Sequence, residues 1–212
     1  MNNTTLETIT NKLLEADYPS EFKLAKLESI STFKGRKDYL DGHLRKLGAG
    51  SSRIVYEVDN NTVLKFAKNK KGIAQNLVEI ELSEDSYLSV MGIFAEIYEY
   101  GEHGLWLEMQ KAKKCTPKLF NEIVGLTFDD YVVALTYMSG KSNKLDSNFD
   151  IDELYENEFL ESMTDFLSNF KHIPIADYTR MSSYGVVTNG TDSDVVLVDY
   201  GLNEDVYDKY YR

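Results

Sequence analysis

The chain has 212 residues, of which 42% are hydrophobic and 12% aromatic, enough to bury a core and far from the aromatic-poor composition of disordered chains. Its 23 Lys and Arg against 35 Asp and Glu leave a net charge of -12, which argues against a generic nucleic-acid binder. One cysteine, Cys115, excludes an intrachain disulfide framework, the dispersed His43, His103 and His172 match no zinc spacing, and no apolar run nears the ~18 residues of a membrane span.

Residues 4–17 open with Thr4 and Glu7 in capping-box spacing and carry Leu6, Ile9, Leu13 and Leu14 on one face, which predicts a short amphipathic helix. The stretch to Gly42 mixes helical pieces with the turn-like FKGRKD and holds no diagnostic chemistry. From Leu44 the pattern alternates. LRKLGAGSSRIVYEV and TVLKFAK, parted by Asp59-Asn60-Asn61, predict two antiparallel strands with a glycine turn at their start. Residues 73–91 are helix-compatible, and FAEIYEYG and LWLEMQKA read as two more strands, so the order β-β-α-β-β describes an α+β lobe.

Beyond Lys114 the pattern turns helical. Thr116-Pro117 starts a helix that Gly125 ends, Thr127 and Asp130 cap a second that runs to Gly140, and KSNKLDSNFD is a polar loop. Residues 151–173 predict one helix with Ile151, Leu154, Tyr155, Phe159, Met163, Phe166 and Phe170 on its apolar face. A hairpin follows, SYGVV turning through NGTDSD into VVLVDYG. The start MNNTTLETIT has neither the basic nor the apolar region of a signal peptide, so a cytosolic protein, or one kept in the particle or cell that made it, is expected.

Three elements could carry chemistry. Gly48-Ala49-Gly50-Ser51-Ser52-Arg53 forms a glycine turn in which backbone N–H groups, and the hydroxyls of Ser51 and Ser52, could meet phosphate oxygens; many hairpins use such a turn with no ligand. Lys65 sits between apolar neighbours in VLKFAK. Held inward it needs an anionic partner, for which Glu79 or Glu81 is spaced; held outward it joins the solvated run of Lys68, Lys70 and Lys71. Asp199 ends a very apolar strand just before Gly201, a place suited either to holding Mg2+ or to capping the helix in LNEDVYDKYY.

In this order the elements resemble the protein-kinase-like superfamily: glycine loop GAGSSRIV, strand lysine in VLKFAK, helix glutamate, hinge-like LEMQKA, and DYG in place of DFG. The resemblance covers residues 44–205. It is most similar to small kinase-like proteins of tailed bacteriophages, in which GSSR, a KGxAQN segment (Lys71 to Asn76) and VLVDYGL recur. It implies a minimal bilobal fold: a helical extension over 1–43, an N-terminal lobe of antiparallel sheet plus helix over 44–114, and a reduced helical C-terminal lobe over 115–212.

The same resemblance implies that Gly48, Gly50, Ser51 and Ser52 cover the phosphates of ATP, that Lys65 contacts them and pairs with Glu79, and that Glu108 through Ala112, Met109 and Lys111 included, line the adenine pocket by backbone groups. Asp199 binds Mg2+ in this scheme. Three departures matter. Arg53 replaces the third glycine and makes the loop tip bulkier and cationic; HIPIADYTRMSSYGV stands where the catalytic loop belongs, with Asp177 as the available base; and Arg180 and Ser183 replace the usual lysine and second-metal asparagine, a register that puts Tyr178 at the base position. The chain ends 11 residues after Gly201, which disfavours peptide recognition of the regulated protein-kinase type. The implied function is an ATP-dependent phosphotransferase of a bacterial cytoplasm. The alternative is an inactive pseudokinase that binds a host or virion protein.

Overall fold

The computed structural model describes residues 16–145, 149–170 and 173–212, the side chain of residue 151 excepted. The helix expected over 4–17 lies, up to residue 15, outside the described residues. The architecture is α+β, as the pattern predicts, and the chain forms two compact units. One holds the residues up to Asn76 with Glu96–Lys111, the other Leu77–Ala95 with Ala112–Arg212.

The first unit is built on an antiparallel sheet of β1 (Arg45–Ala49), β2 (Arg53–Glu57), β3 (Thr62–Ala67), β4 (Ile97–Tyr100) and β5 (Trp106–Gln110), in the order β1-β2-β3-β5-β4. Where two strands were expected before the helix there are three, because the glycine turn folds the first run back on itself. The Gly50 N–H donates to the Arg53 carbonyl at 2.9 Å. The next turn is closed by Asp59, whose Oδ1 accepts the N–H groups of Asn61 and Thr62 at 2.7 and 2.8 Å.

Residues in register share a face of the sheet, and successive residues alternate. Ile54, Phe66 and Trp106 thus lie in one row, with Tyr56 and Leu64 beside them. This face is buried by the segment before β1, through Phe22, Leu27, Leu40 and Leu44. The segment contains α1 (Leu24–Ser29) and α2 (Phe33–His43), which carries a Thr32 cap. Three rings keep their polar atoms bonded as they are buried: Tyr56 donates to Asp41 at 2.8 Å, Trp106 to Glu28 at 3.1 Å and Tyr18 to Glu108 at 2.5 Å.

Helix α3 (Lys70–Glu84) begins where Asn69 Oδ1 accepts the Gly72 N–H at 3.0 Å. It stops at Glu84 and does not run to 91. Asp85 accepts the N–H groups of Tyr87 and Leu88 at 2.9 and 3.1 Å, offering the backbone a turn in place of further helix.

In the second unit, α4 (Pro117–Val124) is capped by Thr116 and ended by Gly125 at φ 81°, and α5 (Phe128–Met138) is capped by Thr127, as expected. The single helix expected over 151–173 is instead two, α6 (Ile151–Tyr155) and α7 (Glu158–Asn169). Asn157 breaks it. Its side chain accepts the Leu160 N–H at 3.0 Å and donates to the Val124 carbonyl at 2.7 Å. Tyr155, expected on the buried face, is 60% exposed, because the break ends the helical period one residue after it; Leu154, Met163 and Phe166 are buried. Strands β6 (Lys113–Lys114), β7 (Tyr184–Asn189) and β8 (Asp192–Leu197) form an antiparallel sheet in that order. Asn189 pairs with Asp192, so the hairpin turn is only Gly190-Thr191, with Gly190 at φ 67°. The chain ends in α8 (Glu204–Tyr211), capped by Asn203. No helix among the described residues is long and apolar enough to cross a membrane.

Candidate functional site

Strand register assembles the first group of residues. Gly48 pairs with Val55, Val55 with Lys65, and Lys65 with Leu107, so the glycine turn's leading residue and the strand lysine stand in one row across four strands. Alternation sets this row on the face opposite Leu64 and Phe66. Lys65 is only 5% exposed, so of its two alternatives the inward one holds, and Lys68, Lys70 and Lys71 do not share its setting. Met109, two residues along β5, is buried and pairs with Val63 and Ile97.

Gly48 and Gly50 differ from most other glycines of the chain. Neither has a left-handed φ, and no described atom lies within 4 Å of where a Cβ would stand on either. The fold itself does not call for glycine there; it leaves the backbone open to approach. The serines are less available. Ser52 is buried and its hydroxyl donates to Gln75, while Ser51 Oγ accepts from Lys71 Nζ at 3.0 Å. Arg53 is not a cationic loop tip as expected. It is the buried first residue of β2, with Nη1 3.5 Å from Asn76 Oδ1, because strand alternation turns it inward to α3.

Lys111 is committed locally. Its N–H donates to the Asn61 carbonyl at 2.7 Å, and its ammonium pairs with Glu57 at 2.5 Å and donates to the Asp59 carbonyl at 3.2 Å. Within the adenine-lining segment expected over Glu108 to Ala112, Lys111 therefore has its carbonyl to offer and not its N–H.

The second unit gathers the carboxylates. Glu79 is fully buried on α3 whereas Glu81 is exposed, so Glu79 is the inward member of the pair. Its Oε1 accepts the Tyr200 N–H at 3.1 Å, which fixes the residue next to Asp199. Tyr200 is pinned further by its ring against Phe94 and by its hydroxyl, which donates to the Ala95 carbonyl at 3.4 Å. Ser183 joins the two loops. Its hydroxyl donates to the Asp177 carbonyl at 2.6 Å and its own carbonyl accepts the Val198 N–H at 2.8 Å, one residue before Asp199. Asp177 faces Arg180 at 3.3 Å, with side chains 22% and 65% exposed.

Tyr178 follows Asp177 directly and packs its ring against Phe166. It is buried, and its hydroxyl has no hydrogen-bond partner among the described residues. Burial first, then Tyr184 and the carboxylates of Asp177, Glu79 and Asp199, hold that hydroxyl protonated far above the usual tyrosine range. The Tyr184 hydroxyl donates to the Tyr178 carbonyl at 2.7 Å and meets the Tyr131 hydroxyl at 2.9 Å. Tyr178 therefore packs as core, and Asp177 is the more exposed of the two residues at the base position.

Sequence reasoning missed Gln75 and Asn76 as partners of Ser52 and Arg53, both 23 residues away, and the burial of Tyr178. The polar segment Lys71 to Asn76 was the available signal for the first two. Among the described residues no three of His, Cys, Asp and Glu form a group that could hold a metal.

No protein-family model and no curated protein matches the chain. Solved structures similar to it include APH(2'')-IIa in a ternary complex with streptomycin and ATP, at 13% identity and a TM-score of 0.32, covering 56% of this chain and 42% of that one. A choline/ethanolamine kinase family protein from Mesorhizobium loti is similar at 14% identity and a TM-score of 0.34, covering 84% and 63%. The GDP complex of aminoglycoside 2'-phosphotransferase-IIIa is similar at 14% identity and a TM-score of 0.34, covering 84% and 77%. The chain thus spans less than two thirds of the length of the first two of these proteins.

Proposed function

We propose that the chain is an ATP-binding, protein-kinase-like phosphotransferase of the small type found in tailed bacteriophages. The observation that carries it is the sheet row that sets Gly48, with open space over its backbone, two strands from the buried Lys65. Adjacent strands lie about 4.8 Å apart, so the row spans roughly 10 Å, the scale of a triphosphate lying over the open turn backbone at one end and meeting an ammonium at the other.

In this scheme the phosphates lie in the open space over Gly48 and Gly50, where the Gly50 N–H is already given to the Arg53 carbonyl, and Lys65 neutralises them. Asp199, an exposed carboxylate held in place by the Glu79 bond to its neighbour, takes Mg2+. One carboxylate suits that ion, which commonly keeps waters and phosphate oxygens as its other ligands. Held by Asp199, Mg2+ would supply positive charge against the transferring phosphoryl group. Asp177 accepts the proton of an acceptor hydroxyl, and Arg180 faces the transferred phosphate.

A second possibility, a nucleotide-binding pseudokinase that presents a surface to a host or virion protein, is favoured by one observation. Asp177 and Arg180 are partners of each other, so both must part before either serves transfer. Two measurements decide. MgATP at ~100 times its Kd should add ~2.7 kcal/mol to the stability of the wild type and much less to Lys65→Ala; a wild type with no melting shift at millimolar MgATP overturns the proposal. With labelled ATP, transfer should vanish in both Asp177→Asn and Asp199→Ala. Binding without transfer in the wild type selects the pseudokinase.

A further inference from the structure

The glycine turn is fastened on its outer side, residue by residue, to the segment between β3 and the first turns of α3. Lys68 donates through its ammonium to the Gly50 carbonyl at 2.5 Å and through its N–H to the Ser52 carbonyl at 2.8 Å. Asn69 Nδ2 donates to the Ser51 carbonyl at 3.3 Å and Lys71 Nζ to Ser51 Oγ at 3.0 Å. The buried Ser52 hydroxyl donates to Gln75 Oε1. Asn76, fully buried, faces Arg53 at 3.5 Å through Oδ1 and donates through Nδ2 to the Gly104 carbonyl at 3.0 Å. Gly72 completes the fastening by closeness: a Cβ on it would stand 2.3 Å from the Ser52 carbonyl oxygen and 3.1 Å from Ala67 Cβ.

All three carbonyls of residues 50–52 are therefore taken from outside the turn, while over Gly48 and Gly50 no described atom stands where a Cβ would be. A glycine turn without such anchors must lose its conformational freedom when phosphates arrive, and that entropy is subtracted from affinity. We propose that Lys68, Asn69, Gly72 and Gln75 are positioning residues that hold the turn in its phosphate-receiving shape before any nucleotide binds. The lock acts on the phosphate end of the ligand only. It rests on the nucleotide assignment of the turn made above, and it predicts something that assignment alone does not: a loss selective for phosphates when the lock is cut at Gln75, a side chain outside the turn.

The test uses the full chain with Gln75→Leu, and with Ser52→Ala as a second variant that removes the other half of the same bond without adding bulk. Affinities for MgATP and for adenosine are measured by calorimetry, and hydrogen exchange of the amides of residues 48–52 is followed without ligand. The expected result is faster exchange at those amides, MgATP binding weakened about tenfold, and adenosine binding unchanged. Unchanged exchange in a folded variant overturns the lock. Equal weakening for MgATP and adenosine also overturns it, since a loss of general stability would act on both. If the wild type binds neither ligand, the nucleotide assignment and the phosphate role of the lock fall together, whereas accelerated exchange would still show that the fastening exists.

Discussion

At the scale of single residues, burial decides what a charged side chain means. Lys65 and Glu79 face inward while Lys70 and Glu81 face out, although composition treats each pair alike. Glu108 shows what such burial costs. Burial raises its carboxyl above the ordinary 4.5, the charges of Glu99 and Asp59 add to the rise, and the Tyr18 hydroxyl works against it. A carboxyl whose folded pKa is raised binds its proton more tightly in the native state. Stability is thus lost as pH climbs from the ordinary carboxyl range through the raised value. Glu108→Gln should flatten that decline. Melting temperatures of the wild type and the variant between about pH 4 and pH 7 check it, and parallel profiles would count against it.

At the scale of elements, capping chemistry was legible and interruptions were less so. Thr116, Gly125 and Thr127 mark α4 and α5 in the sequence because their bonds are local, three or four residues away. The Asn157 break was hidden, because the apolar period of 151–173 continues across it and the deciding bond goes to Val124, 33 residues away. Asn157→Ala removes a cap and a donor to a helix-end carbonyl, and should destabilise the chain by about 2 kcal/mol. Urea unfolding should show a lower midpoint at unchanged slope. A change under about 0.5 kcal/mol would mean that the break is set elsewhere. The glycine turn was legible as a turn between two strands, but that Arg53 is buried as the first residue of β2 follows from pairing partners on both sides.

At the scale of the whole chain, the segment before β1 takes a role that its sequence concealed. Residues 16–44 bury one face of the five-stranded sheet, with Leu27 and Leu40 fully enclosed. Leu40→Ala should cost about 2 to 5 kcal/mol, read from a lower melting temperature, and removal of residues 1–44 should expose that sheet face to a hydrophobic dye. A truncated chain that melts like the full one and binds no dye would show that the face is covered by something else.

Alternation and turn chemistry in the sequence determined the α+β class, the strand runs, the helix starts at Thr116 and Thr127, and the order of glycine turn, lysine, glutamate and carboxylate. These depend on neighbours within a few residues, and a linear pattern records them. Tertiary structure alone decided that Lys65 shares a row with Gly48, that Glu79 holds the Tyr200 N–H, that Gln75 secures Ser52, and that an apparently plain leader covers the sheet. Each of these joins residues far apart in the chain, and long-range pairing follows from packing the whole chain at once, which no local period encodes.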